Sequence, residues 1–278
     1  MKRYLTILLL LNVVAMTASA REVFPINEGW RFFFKSEKTS DNARHVTLPH
    51  SWNTDPLAQG YWLETTGSYQ NGMYIPVEWA SKRLFVKFYG VQSVADLFVN
   101  GYHVGTHRGG ATAFTFEITD KIRFGSDNSM LMVVSNSSRD DVLPTSTDMN
   151  LYGGIYRDVS LLVVNRNHIA LDYLGGPGVQ ITPTVNGANA DIEVKTWMEG
   201  DGEVEFSIYD AAGAEVLTGK GRDTTVTLEH PHLWDGVRDP YLYTCAVRLV
   251  LNGEVQDEVR QRFGVRSFSV DSKQGFFL

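Results

Sequence analysis

Residues able to do acid–base or nucleophilic work are scattered along this chain. Two carboxylate pairs come first, Asp140-Asp141 and Asp235 with Asp239. General acid–base attack on one bond needs two carboxylates flanking it. Neighbouring residues on a strand point to opposite faces, so Asp140 and Asp141 cannot flank one bond. Asp235 and Asp239 fall in a turn-rich stretch, where carboxylates cap turns or meet water. The seven histidines include no helix-borne pair with a third ligand, and His230-Pro231-His232 is one turn rather than a metal site. Cys245 shares a strand face with Tyr241, Tyr243 and Val247 and reads as a buried small hydrophobe, not a nucleophile. Gly153-Gly154 serves a tight turn, because no strand-to-helix context accompanies it for phosphate binding. Arg157 and Asp158 read as structural charges, and Arg108-Gly109-Gly110 as turn chemistry.

The elements that position these residues are strands. Leu84, Val86 and Phe88 alternate with Arg83, Phe85 and Lys87. Leu97 and Val99 alternate with Asp96, Phe98 and Asn100, and Val204, Phe206 and Ile208 with Glu203, Glu205 and Ser207. Period-2 patterning marks a strand with one buried face. Asn-Gly pairs occur at 71, 100, 186 and 252, and those at 100 and 252 sit between apolar runs as hairpin turns. No convincing helical stripe follows the N-terminus, apart from one turn near Thr119 to Phe124. The fold class is therefore all-β. A boundary falls near Asn165-Arg166-Asn167. The region before it suits a jelly roll. The region after it, six or seven short strands without a Cys-Trp-Cys framework, suits an immunoglobulin-like sandwich.

Residues 1–20 read as a secretory signal peptide: basic Met1-Lys2-Arg3, an apolar run from Tyr4 to Met16, and Ala18-Ser19-Ala20 before the cleavage point. The run is short for a membrane anchor. Cleavage removes two cations and takes the formal charge from −7 to −9. So acidic a chain is a poor partner for nucleic acid. One cysteine excludes an intrachain disulfide, so a packed core must hold the exported chain. Export without disulfides suits the periplasm or envelope of a Gram-negative bacterium. The tripeptide Asn136-Ser137-Ser138 is only formally a glycosylation sequon.

Several segments together resemble the N-terminal part of a glycoside hydrolase family 2 enzyme, closest to exported β-galactosidases of Bacteroidetes. They are Asn27-Glu28-Gly29-Trp30-Arg31-Phe32, Leu48-Pro49-His50-Ser51-Trp52-Asn53, Lys82 to Val91, Ala95 to Gly101, Val104 to Gly110 and Ala113 to Thr119. The densest runs from Asp148 to Val159, and Trp234, Asp239 to Tyr243 and Phe263-Gly264-Val265-Arg266 follow in order. The resemblance implies a signal peptide (1–20), a jelly-roll sugar-binding domain (21–166), an immunoglobulin-like sandwich (167–267) and the linker and start of a TIM barrel (268–278). It implies retaining hydrolysis of β-galactosides by two glutamates of that barrel, carboxylates that must stand about 5 Å apart. Neither glutamate has a counterpart here. The chain stops at Leu278 on Phe276-Phe277-Leu278, which reads as a cut, and it is expected to be inactive alone.

The same resemblance implies that Asp148 reaches into the sugar pocket of the full-length parent, as a hydroxyl-binding residue and a ligand of a sodium or magnesium ion. Asn71, in Tyr69-Gln70-Asn71, falls where related enzymes place a second sugar-contacting loop. Trp52 with His50 is similar to a packing motif of the family. The expected partners are a β-galactoside, the parent's barrel and a second copy of the chain in a homo-oligomer. β-Glucuronidases and β-mannosidases share this architecture, so the parent's sugar stays open. A free-standing carbohydrate-binding module and a purely structural or oligomerising sandwich are the alternatives.

Overall fold

A computed structural model describes residues 21–34, 43–54, 64–143 and 152–278. The signal-peptide segment and Asp148 lie outside the described residues. Two antiparallel sandwiches follow one another along the chain.

In the first, a four-stranded sheet has the order Arg21–Pro25, Val159–Val164, Arg83–Phe88, Phe114–Glu117. It faces a six-stranded sheet in the order Arg44–Val46, Trp30–Phe34, Thr66–Ile75, Ser126–Ser135, Val94–Val99, Tyr102–Arg108. Trp30, Phe32, Trp52, Tyr69, Leu84, Phe88, Leu97 and Met132 fill the space between them, each with no exposed surface. Burying each such side chain contributes roughly 1.5–3 kcal/mol. The all-β jelly roll read from the sequence is the observed architecture.

The second sandwich pairs a three-stranded sheet, Val179–Asn186, Asn189–Thr196 and Asp223–Glu229, with a four-stranded one. The latter runs in the order Glu215–Lys220, Glu203–Tyr209, Tyr243–Leu251, Glu254–Phe263. Alternation is strict in Asn189–Thr196, where Ala190, Ile192, Val194 and Thr196 point inward. Cys245 is buried in this core, and burial pushes its thiol up to about 12, which leaves it unreactive at neutral pH.

Three local readings change. Leu84, Val86 and Phe88 are buried as expected, but Phe85 and Lys87 on the opposite face are buried too. Arg83–Phe88 is an interior strand, and Phe85 packs with Leu162, Val164 and Leu171 on the far side of its sheet. The Asn-Gly pairs at 100 and 252 do turn, with positive φ at all four residues. Asn71-Gly72 does not: it lies inside Thr66–Ile75, paired with Met130 and Ser129. Arg157 and Asp158 form no ion pair among the described residues. Asp158 accepts a hydrogen bond from the Asn27 amide (3.1 Å), and Arg157 lies over the Tyr156 ring.

Charged groups join the sandwiches. Arg21 donates twice to Asp257, from Nε at 3.0 Å and from Nη2 at 2.5 Å. Its Nη2 also donates to the Ile169 carbonyl (2.8 Å), while the Ile169 N–H donates to Asp257 (2.8 Å). Burial pushes the Asp257 carboxyl up, and the Arg21 charge pulls it back. Arg83 forks between Glu117 of the first sandwich and Glu199 of the second. Lys87 donates to the Gly175 carbonyl (3.1 Å), and burial lowers its ammonium below the usual lysine range.

Candidate functional site

A close-packed frame in the first sandwich surrounds Gly153 and Gly154. The chain re-enters the described structure at Tyr152, and Gly153 drops at once into a close-packed frame. Its N–H donates to Asn53 Oδ1 at 2.7 Å, within the buried interior. A Cβ on Gly153 would stand 2.0 Å from Trp52 Cζ2, so only glycine fits without displacing the indole. Gly154 adopts φ +126°, a conformation that L side chains rarely take, and its backbone lies against the His50 carbonyl and the Tyr69 hydroxyl.

Around these glycines several polar groups are hydrogen-bonded, while the buried Ser51 hydroxyl has no partner among the described residues. His50 Nδ1 and the Tyr69 hydroxyl share a hydrogen bond at 2.8 Å. The His50 N–H donates to the Ile155 carbonyl at 2.8 Å. Asn136 Oδ1 accepts from the Thr65 N–H at 2.8 Å, so this amide is buried and engaged rather than displayed as a sequon. Asn27 Oδ1 accepts from the Val159 N–H at 2.9 Å. Phe32 stacks on Trp52 with ring centroids 5.9 Å apart. The family-like Trp52 and His50 therefore hold the frame together and present no sugar platform.

Asn71 lies within the strand Thr66–Ile75. Its Nδ2 donates to the Glu28 carbonyl (3.0 Å) and its Oδ1 accepts from the Gly72 N–H (2.7 Å). The side chain thus pins the Glu28-Gly29 segment to this interior strand. Asn71 and the Gly153 frame lie on separate anchors, with no hydrogen bond between them among the described residues. Asp148 lies outside the described residues, and its role as a sugar or cation ligand receives no geometry here. Among the described residues, no group of three His, Cys, Asp or Glu side chains could hold a metal ion.

The other carboxylates have ordinary work. Asp141 pairs with Arg108 (2.8 Å) and Arg139 (2.7 Å), and Arg139 holds its carboxyl below the usual range. Asp239 meets His232 Nε2 at 2.6 Å, and the Asp235 N–H donates to the Asp239 carbonyl (2.8 Å). None of these arrangements sets two carboxylates across a cleft. Sequence reasoning missed Asn27 and Asn53, which tie distant loops to the frame. Their one signal is position: each flanks an aromatic motif, Asn27 before Trp30 and Asn53 after Trp52.

Comparison with known proteins gives this architecture its relatives. The family model for the sugar binding domain of glycosyl hydrolases family 2 matches residues 36–165, and a second model of that family matches residues 174–266. A β-glucuronidase of Bacteroides fragilis is 35% identical over 97% of this chain and 41% of its own length. A β-galactosidase of Thermoanaerobacter pseudethanolicus is 26% identical over 93% of the chain and 37% of its own length. The crystal structure of an FMN-binding β-glucuronidase from Facaelibacterium prausnitzii L2-6 superposes with a TM-score of 0.85 at 34% identity, covering 93% of this chain and 41% of that one. The chain thus spans about two fifths of the length of the curated relatives it matches. Among the described residues, no helix is long and apolar enough to cross a membrane. With both sandwiches matched in order, the chain belongs to glycosyl hydrolases family 2.

Proposed function

We propose that this chain is the non-catalytic, amino-terminal portion of a retaining family 2 glycosidase. Its first sandwich helps to shape the sugar pocket and its second holds that sandwich in place. The observation that carries the reading is the pairing of both family matches, 36–165 and 174–266, with coverage of only about two fifths of each relative. The remaining length of such enzymes has to supply the catalytic pair, since the described carboxylates are engaged in ion pairs and turns or stand alone. β-Glucuronides are the first substrate class to try, because the 35% identical relative is named a β-glucuronidase. β-Galactosides come second, from the 26% identical relative and from the Asp148-Met149 opening of the densest motif.

In this reading Asp148 reaches the sugar of the assembled enzyme, alone or with a sodium or magnesium ion, and Asn71 holds the Glu28-Gly29 segment. The partner is the enzyme's own catalytic barrel. Residues 1–20 direct export to the periplasm or cell envelope. A free-standing carbohydrate-binding module is the second reading, favoured by the family's description of residues 36–165 as sugar binding.

One assay separates them. The purified chain is incubated with nitrophenyl β-glucuronide and β-galactoside, and in parallel titrated by calorimetry with the neutral sugar galactose. The accessory reading expects neither turnover nor appreciable binding from the chain, and turnover only from the complete reading frame with Asp148 intact. Binding by the isolated chain turns the assignment to a module, and hydrolysis by it overturns both.

A further inference from the structure

A cleft of about 460 Å³ opens on one side of the second sandwich, lined by Ile181, Pro183, Trp234, Leu242, Arg262, Phe263 and Arg266, with Phe268 at its rim. It lies where Val179–Asn186 and Glu254–Phe263, the edge strands of the two facing sheets, come together. Its size falls within the range that holds a small ring ligand.

The lining carries two guanidinium groups and no carboxylate. Elsewhere in this chain of formal charge −7, Arg21, Arg83, Arg108, Arg139, Arg238, Arg248 and Arg260 face acids. Neither Arg262 nor Arg266 has an acidic partner among the described residues. Arg266 is instead held between rings, its Cζ 4.8 Å from the Trp234 centroid and 5.9 Å from that of Phe268. Stacking fixes the plane of a guanidinium and leaves its N–H edge free to donate. A fixed planar fork matches a planar carboxylate in bidentate fashion. The apolar walls of Leu242, Ile181 and Pro183 offer a face to whatever carries that carboxylate.

The geometry points to a binding site for a small carboxylate borne on a ring, with Arg266 as the fork, Arg262 as the second cation and Trp234 as the wall. Two kinds of molecule have this chemistry, a uronic acid sugar and an aromatic acid. This site is separate from the sugar-pocket reading above, because it lies wholly within the second sandwich.

The test titrates the full chain by calorimetry with galacturonate and with phenylacetate, against galactose, acetate and sulfate at equal ionic strength. Binding of one or both ring carboxylates is expected, weakened by added salt, while galactose and acetate stay weak. Which acid binds tells the two sources apart. Arg266→Ala is expected to weaken binding roughly tenfold or more, through loss of a charge-assisted pair. Arg266→Lys, which keeps the charge and loses the fork, should restore little of it. Near-ultraviolet circular dichroism shows whether each variant keeps its fold, and Arg262→Ala provides a second variant away from the ring stack. The proposal is overturned if neither acid binds, if sulfate or acetate binds as well as they do, or if folded Arg266→Ala and Arg262→Ala both bind as the parent does.

Discussion

Arg21 and Asp257, 236 residues apart in sequence, meet in a two-pronged ion pair that ties the outermost strand of the first sandwich to the last long strand of the second. Asp257 is wholly buried and Arg21 nearly so. A carboxylate in that position is tolerable only because the guanidinium and the Ile169 N–H both donate to it. Removing one partner leaves the other charged and dry. Arg21→Ala is therefore expected to destabilise the chain by about 3–5 kcal/mol, where an exposed pair would cost well under 1. Urea unfolding followed by circular dichroism measures it, and a loss below about 1 kcal/mol would show that the pair is ornamental.

His168 gives the junction a pH dependence. It has no exposed surface, its Nε2 has no hydrogen-bond partner, and its ring lies 5.6 Å from that of Phe85. Burial lowers its pKa from the ordinary value near 6.5, with Arg83 adding repulsion and Glu199 and Asp257 opposing it. The unfolded chain then takes up the proton first. Stability is fully present above about pH 6.5 and drains away as the pH falls from there through the folded-state pKa. His168→Leu should flatten that slope between pH 7 and pH 5. An unchanged slope in the leucine variant would place the titrating group elsewhere.

Gly153 allows a sharper test of the frame. Alanine there drives a methyl group into Trp52, with no open space on that side. Overpacking of this kind costs roughly 1–3 kcal/mol. Thermal unfolding of Gly153→Ala should show the loss, and pairing it with Trp52→Phe should recover part of it. Full stability in the single variant would mean that the frame is looser than its contacts imply.

The hairpin formed by Ser269–Asp271 and Gly275–Phe277 stands apart from both sandwiches in its pairing. Phe268, Val270, Phe276, Phe277 and Leu278 are between 45% and 73% exposed, a large apolar patch for so few residues. A two-stranded hairpin with no third layer is marginal in water, and such a patch invites association. Light scattering should show the purified chain self-associating with concentration. Phe276→Ser with Phe277→Ser should reduce it. Clean monomeric behaviour of the parent chain at high concentration would remove this expectation.

Much of the fold was legible because strand periodicity is local. Val204, Phe206 and Ile208 could be placed inward from spacing alone, and the Asn-Gly turns at 100 and 252 from backbone chemistry. What could not be read depends on residues far apart. Nothing near Phe85 and Lys87 announces that their face is covered by Leu162 and by the 171–175 segment. Nothing near Asn71-Gly72 announces that pairing with Met130 and Ser129 holds it extended. The frame around Gly153 was legible only in part: Trp52 and the paired glycines drew notice, whereas Asn53 and Asn27 act on backbone groups about a hundred residues away. Asp148 itself was singled out by motif resemblance, and its environment belongs to residues not described.

Among the described residues, the edge strand Arg21–Pro25 takes its only sheet partner from Val159–Val164. This early strand must therefore wait, unpaired, for the strand that closes its sheet, and Arg21 waits longer still for its acid. A chain made from its N-terminus carries this strand bare until more than half of the polypeptide has followed. Assembly of the two sandwiches is then a late and joint event, dominated by long-range closure. Helper proteins that cover exposed strands during synthesis would have their longest task at this one.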